Sequence, residues 1–411
     1  MLLDVHQDGI KARLSVPLKE FQMVFPEVDL DRNYTTLIRR RNAWLDAYLK
    51  DHLTIRSPKG NSWKMRITGK SVSEMEQPLT GKYHELTYDL WLQPPSGESP
   101  RSFTMNYDVV MHQLITHKLF LKVSGDWYGG MTARDSTDAD LGILSVNPAT
   151  GKPQPVVVRL DQEASVWKGF KVFVNLGISH IQEGTDHLLY LFVLMLTVSL
   201  VAQKHTWKRG LSTKKSLVRV IKIATAFTIG HSLSLCLGTM GWLRISPLLV
   251  EIAIAFTILI TAVHSIRPLF PGRENYAAVI FGLIHGLGFS GALTELNLDG
   301  ERMAYSILGF NVGIELMQLF VILCTVPWLI VLSNYPLHRV IRIAGGTFAI
   351  IASVGWVIAR ILEKPNRITE YAEMILVHGK WLIAGLAMLA IANEVFQRFR
   401  ERKTNPKVNT V

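Results

Sequence analysis

The sequence predicts an α-helical integral membrane bundle of about seven spans, preceded by a mainly β, sandwich-like domain. Three observations carry this. Beyond Trp167 come seven apolar runs, each of the roughly 20 residues that a bilayer core demands. Before it lie short β-rich segments separated by turn chemistry. Charge divides the same way: residues 1–168 hold 21 Lys+Arg against 20 Asp+Glu, so nearly all of the net charge of +11 lies in the second part. The domain organisation read from this is 1–168, a mostly β domain; 169–400, a polytopic membrane domain; and 401–411, a basic tail.

In the first domain, "IKARLSVPL", "HELTYDLWLQ", "SFTMNYDVVM", "HKLFLKVSG" and "PQPVVVRL" read as strands, several alternating apolar with polar. "QPPSGESP", "SGDWYGG" and "NPATGKP" separate them as turns. One helix is expected at "YTTLIRRRNAWLDAYLKDHL", where Leu37, Trp44, Leu45, Tyr48 and Leu49 make an apolar stripe and Arg39, Arg40 and Arg41 a solvated face. His112 and His117, on or beside a strand, read as structural residues.

The spans are expected near 172–202, 217–240, 247–266, 276–295, 303–332, 338–362 and 373–397. Their basic residues gather in alternate connections. The first, "QKHTWKRGLSTKKSLVR", is rich in Lys and Arg and has no acid; the third, the fifth and the tail "RFRERKTNPK" are also basic. Connections two and four are poorer. By the positive-inside rule, the odd connections and the C-terminus face the cytoplasm and residues 1–168 lie outside a cell membrane, that of a bacterial inner membrane being the expected one. This placement requires export, and "MLLDVHQDGIKARL" has no apolar signal core, so an upstream signal segment is expected. Scattered in this way, the positive charge forms no stripe for nucleic acid. The two cysteines, Cys236 and Cys324, sit inside apolar runs and offer neither a disulfide framework nor a metal knuckle.

Ionisable side chains at membrane depth are costly and point to function. In "GISHIQEGTDHLLYLFVLMLTVSLVA", at 100° per residue, His180, Glu183 and His187 fall within about 60° of one another, with Asp186 on the shoulder. Gly184 leaves room for a neighbouring helix or an ion. The second span offers His231 and the fourth His285 in "FGLIHGLGFSGA", where small residues permit close packing. In the fifth, Asn311, Glu315 and Gln318 share a face. Glu251 opens the third span near its outer end, within reach of the interface, and His264 and His378 stand near span ends as interfacial residues. By helical rise, His180, His187, His231, His285, Asn311 and Glu315 lie in the outer half or middle of one bundle. His180, Asp186, His187, His231 and His285 are the candidate ligands; Glu183, Glu251, Asn311 and Glu315 are candidates for coupling or for supporting the ligands. Imidazole with carboxylate and no thiolate suits Ni²⁺, Co²⁺ or Zn²⁺ and argues against Cu(I).

His180, five residues, then Asp186-His187 make an H-x5-D-H motif. Together with "IHG" at 284–286 it resembles the HupE/UreJ family of membrane proteins. "TAFTIGHSLSL", "VEIAIAFTI", "FGLIHGLGFS" and "FNVGIELMQ" resemble its larger branch, which carries an exported N-terminal domain. The resemblance implies a nickel or cobalt permease in which His180, Asp186, His187 and His285 occupy motif positions. Two positions depart from the pattern: Ile181 replaces the proline after the first histidine, and Phe289 replaces a second histidine of the fourth span. The same residues also fit a second class, an intramembrane zinc hydrolase with Glu183 as general base. A membrane scaffold whose outer domain binds a partner is a third.

Overall fold

The computed structural model describes residues 1–24, 42–77, 81–131, 139–147, 149–160, 164–294, 296 and 298–404. The chain divides into two compact units, Met1–Val172 and Phe173–Val411.

The first unit is built on two sheets. One has six strands in the order β4-β5-β2-β1-β7-β8, drawn from β1 (Leu2–Val5), β2 (Ile10–Pro17), β4 (Lys64–Gln77), β5 (Gly81–Gln93), β7 (Leu119–Asp126) and β8 (Ala139–Leu144). Its pairings are antiparallel except for the parallel β1–β7 contact. The other is antiparallel β3-β6-β9, from β3 (Leu53–Arg56), β6 (Ser102–Tyr107) and β9 (Val156–Arg159). Strand alternation fixes which face is dry: Ile10, Ala12, Leu14 and Val16 of β2 are all fully buried, and Lys11 and Arg13 between them are exposed. Both sheets contribute to one apolar core, which also takes Leu45, Tyr48 and Leu49 from helix α2 (Asn42–His52).

The expected helix at 34–53 is described over Asn42–His52; its earlier part, with Arg39, Arg40 and Arg41, lies outside the described residues. A second helix, α1 (Leu18–Val24), follows β2 directly and buries only Leu18 and Phe21, too little for a periodic signal. Strand β4 is equally silent in the sequence, since it is a polar edge strand with Met65, Ile67 and Val72 partly buried.

Among the described residues of the second unit, six helices are long and apolar enough to cross a membrane. They are α5 (Thr213–Thr239), α6 (Pro247–Ile266), α7 (Glu274–Thr294), α8 (Gly300–Leu332), α9 (Leu337–Ile361) and α11, which runs from Gly379 to Thr404. Local chemistry sets several starts. Pro247 opens α6. Asp299 caps α8 by accepting the Arg302 N–H at 2.9 Å. A reciprocal Asn366–Thr369 box opens the short helix α10 (Arg367–Leu376). Apolar side chains such as Ile229, Leu233, Leu316, Phe320 and Leu323 point outward from the helices, as lipid contact requires.

Two expected spans are corrected. The run 172–202 is not one rod but two helices, α3 (Val166–Glu183) and α4 (Thr185–Met195), interrupted at Gly184, whose ψ of 93° is extended. It is followed by a small hairpin, β10 (Leu200–Gln203) against β11 (Thr206–Arg209), which takes the last residues of the expected span and the start of the basic connection. The last span begins at Gly379 rather than 373, because α10 is a separate element before it. His264, expected at the interface, is buried at the end of α6; its Nδ1 accepts the N–H groups of Leu269 (3.1 Å) and Phe270 (3.3 Å), which closes the helix end.

Helices α5 and α7 meet backbone to backbone. A Cβ at Gly282 would stand 2.1 Å from the Phe227 carbonyl oxygen, and one at Gly230 2.1 Å from that of Val279. Gly177 and Gly313 make the corresponding contact between α3 and α8. Gly282→Ala is therefore expected to destabilise the bundle by about 1–3 kcal/mol through overpacking. Gly291→Ala, with nothing within 4 Å, is expected to be neutral or mildly stabilising. Thermal unfolding in detergent compares the two; equal melting temperatures would contradict the close approach.

Candidate metal centre

The break at Gly184 gives His180 and His187 different carriers: His180 ends α3, and Asp186 and His187 lie in the first turn of α4. A single helical wheel across the run therefore does not describe them, yet their rings lie 4.7 Å apart. A Cβ at position 184 would sit 2.7 Å from the His180 carbonyl oxygen and 2.8 Å from His187 Nδ1. The room at Gly184 is thus taken by the chain's own Asp186–His187 pair rather than by another helix. Asp186 Oδ1 accepts from the His187 backbone N–H and lies 2.8 Å from His187 Nδ1. A carboxylate in the first turn of α4 also faces the positive end of the helix dipole.

His187 stands at the junction of two groups. His180, His187 and His231 form one; Asp186, His187 and His285 form the other. In each, the ligand atoms lie within 4.8 Å of one another. His187 Nε2 is 3.3 Å from His285 Nδ1, and His285 Nε2 is 2.9 Å from Thr257 Oγ1. Two imidazole nitrogens bound at about 2.0–2.1 Å to one tetrahedral ion stand roughly 3.3–3.4 Å apart, so the pair has the bite of a metal chelate. The close α5–α7 packing brings His231 and His285 in from separate helices, with a Cβ at Gly286 only 2.3 Å from the His231 carbonyl oxygen.

Buried polar atoms supply an independent test of fit. His231 is fully buried, and among the described residues its one hydrogen-bonding neighbour is the Asn311 side chain, at a geometry looser than a regular bond. Asn311 donates from Nδ2 to the Ile307 carbonyl at 2.8 Å, which leaves its Oδ1 to face the imidazole. Buried polar groups are otherwise almost always satisfied. Bare imidazole nitrogens and an amide oxygen are what a borderline divalent cation takes as ligands. Phe227 lies 5.1 Å from the His285 ring, and the stacked pair Phe289–Phe310 flanks His180 at 4.7 and 5.2 Å. An aromatic wall thus stands beside the imidazoles.

The supporting residues separate. Glu183 is exposed and belongs to neither ligand group. Glu315 is held by Thr225 on Oε1 and Thr228 on Oε2, both at 2.7 Å, and is also outside the groups. Glu251 pairs with Arg360 at 2.9 Å on a half-exposed surface. Thr257, which sequence reasoning did not single out, lies against His285; a hydroxyl in an apolar span gives no signal until its partner is known. The partly buried ion pair of Arg219 and Glu274, 2.6 Å apart, was likewise not foreseen.

Helices long and apolar enough to cross a membrane, gathered around a cluster of histidines and one carboxylate, define a polytopic membrane protein. Residues 158–360 match the family described as HupE / UreJ protein, and through these helices the chain belongs to that family. No curated protein and no solved structure matches it.

Exchanging His231 for an apolar side chain removes a fully buried imidazole whose one hydrogen-bonding neighbour among the described residues is Asn311. His231→Leu is expected to raise the melting temperature of metal-free protein, by the equivalent of about 1–3 kcal/mol. It is also expected to shrink the further stabilisation produced by added Ni²⁺. Differential scanning in detergent, with and without the ion, reads both; a lower melting temperature without metal would show that His231 is satisfied in some other way.

Proposed function

We propose that this HupE/UreJ protein is a permease for a divalent metal ion, nickel or cobalt, with the ion as its cargo. The observation that carries this reading is the sharing of His187 between two ligand groups. An ion held by His180, His187 and His231 can pass to Asp186, His187 and His285 while keeping one ligand throughout. Conduction needs sites strong enough to admit an ion and weak enough to release it. A mixture of imidazole and carboxylate, without thiolate, suits that need. Asp186 holds the His187 ring by its Nδ1, which leaves Nε2 directed at His285. Thr257 plays the matching part for His285.

The basic odd-numbered connections support a cytoplasmic C-terminus and a β unit on the outer side of a bacterial inner membrane. Glu315, bridged to Thr225 and Thr228, is available for proton coupling but not for ligation. The competing reading, an intramembrane zinc hydrolase, relied on Glu183 as its base. The exposure of Glu183 outside both ligand groups favours transport.

Uptake of radioactive nickel by cells expressing the chain is the direct test. Uptake is expected to exceed that of empty cells and to fall to background in His187→Ala, with cobalt competing. Asp186→Asn is expected to retain a residue of uptake with nickel affinity about 10–100-fold weaker, the usual loss when a ligand's orienting partner is removed. Uptake equal in expressing and empty cells would overturn the permease, and one tightly held zinc per purified chain would favour the hydrolase.

A further inference from the structure

The β unit contains a second histidine pair, unrelated to the membrane centre. Trp44, Tyr48 and His52 recur every four residues along α2 and so share a face. Their rings form a column, with centroids 5.8 Å apart for Trp44–Tyr48 and 4.3 Å for Tyr48–His52. His112, from the turn after β6, extends the column: its ring lies 4.5 Å from that of His52 at an interplanar angle of 13°.

One residue orients both imidazoles. Asp108 Oδ1 is 2.7 Å from His52 Nδ1, and the Asp108 N–H donates to the His52 carbonyl at 3.0 Å. The Asp108 carbonyl oxygen is 3.1 Å from His112 Nδ1. A backbone carbonyl only accepts, as does an ionised carboxylate, so Nδ1 is the protonated nitrogen of both neutral rings. Each ring therefore presents a bare Nε2. Metal-binding histidines are oriented in this way, with the second nitrogen donating to a carboxylate or a backbone carbonyl. Here both kinds of acceptor come from Asp108.

The site is reachable and held in place. His112 is exposed and the His52 side chain is 24% exposed. The turn that carries His112 over His52 passes through Val110, whose φ of 65° is a left-handed conformation unusual for a β-branched residue. Val110 N–H donates to Tyr48 Oη at 3.0 Å, and its carbonyl accepts from Gln113 and Leu114. Burial pushes the Tyr48 phenol up to about 12, so it serves as a stacking platform rather than an oxygen ligand. His117 takes no part, being engaged with Glu20 and with Tyr107 at 3.2 Å.

We propose that the Nε2 atoms of His52 and His112 form a surface site for a borderline divalent cation, with water completing its shell. In the stacked arrangement the two lone pairs run side by side, so sharing one ion requires the exposed His112 ring to turn out of the stack toward His52. Nitrogen ligands without thiolate select late first-row ions, and Cu²⁺ binds more tightly than Ni²⁺ or Zn²⁺.

The test uses the full chain in detergent with His187→Ala, which removes the ligand shared by both membrane groups. Ni²⁺ titration followed by calorimetry is expected to find one ion still bound per chain. Adding His112→Gln is expected to weaken that ion at least about tenfold, and Asp108→Asn by about 10–100-fold. With Cu²⁺, electron paramagnetic resonance is expected to show two imidazole nitrogens on the ion before His112→Gln and one after. The melting temperature of each variant reports whether the fold survives. Ni²⁺ binding that is indifferent to His112→Gln, or absent from a folded His187→Ala chain, overturns the proposal. An ion that depends on His112 in a chain that takes up no nickel leaves this site standing and removes the permease.

Discussion

Everything in the membrane half depends on what an imidazole requires once it has left water. Each ring has two nitrogens, and in a lipid-surrounded interior neither can fall back on solvent. His187 meets this demand with Asp186 on one side and His285 on the other. His285 continues the chain to Thr257. The chain of regular bonds does not extend to His231, whose polar neighbour among the described residues is Asn311. Holding an imidazole so far from water costs more than an apolar side chain would, and a bound cation would offset that cost.

Packing makes that arrangement possible. Imidazoles on separate helices can share an ion only when the backbones come unusually near, and Gly230, Gly282 and Gly286 bring α5 and α7 to carbonyl contact. The same contact at Gly177 and Gly313 sets α3 against α8. Around the polar centre, Tyr190, Phe227, Phe289 and Phe310 supply ring faces rather than further donors. Phe289 stands where the resemblance leads one to expect another histidine, so an aromatic face takes the place of a nitrogen beside His180.

Much of this was legible in the residues. Hydropathy located the six long helices, because a bilayer imposes length and composition together. Depth along the helices pointed to the meeting of His180, Asp186, His187, His231 and His285, whereas the single helical wheel drawn through 180–187 did not survive the break at Gly184. The interruption at Gly184 was not legible: a glycine in an apolar run reads equally well as a packing notch, and the difference lies in one ψ angle. Nor could the sequence tell that Glu251 would turn to Arg360, or that Glu183 would stay outside the cluster, since both depend on helix rotation. In the β unit, alternation revealed the buried strands, whereas the polar edge strand β4 and the seven-residue α1 carry too little apolar pattern to be seen.

The interruption between α3 and α4 has a mechanical consequence. An unbroken helix would hold His180 and His187 at a separation set by its pitch. Here the two rods are joined through a residue without a side chain, and the His187 amide is bonded to Asp186 Oδ1, an acceptor that travels with it. Gly184 itself stays bonded to both rods, its N–H donating to the His180 carbonyl and its carbonyl accepting from the Leu188 N–H, each at 3.0 Å. The bend is thus fixed in place, and the spacing of the two rings is set by one residue's torsions rather than by helical pitch.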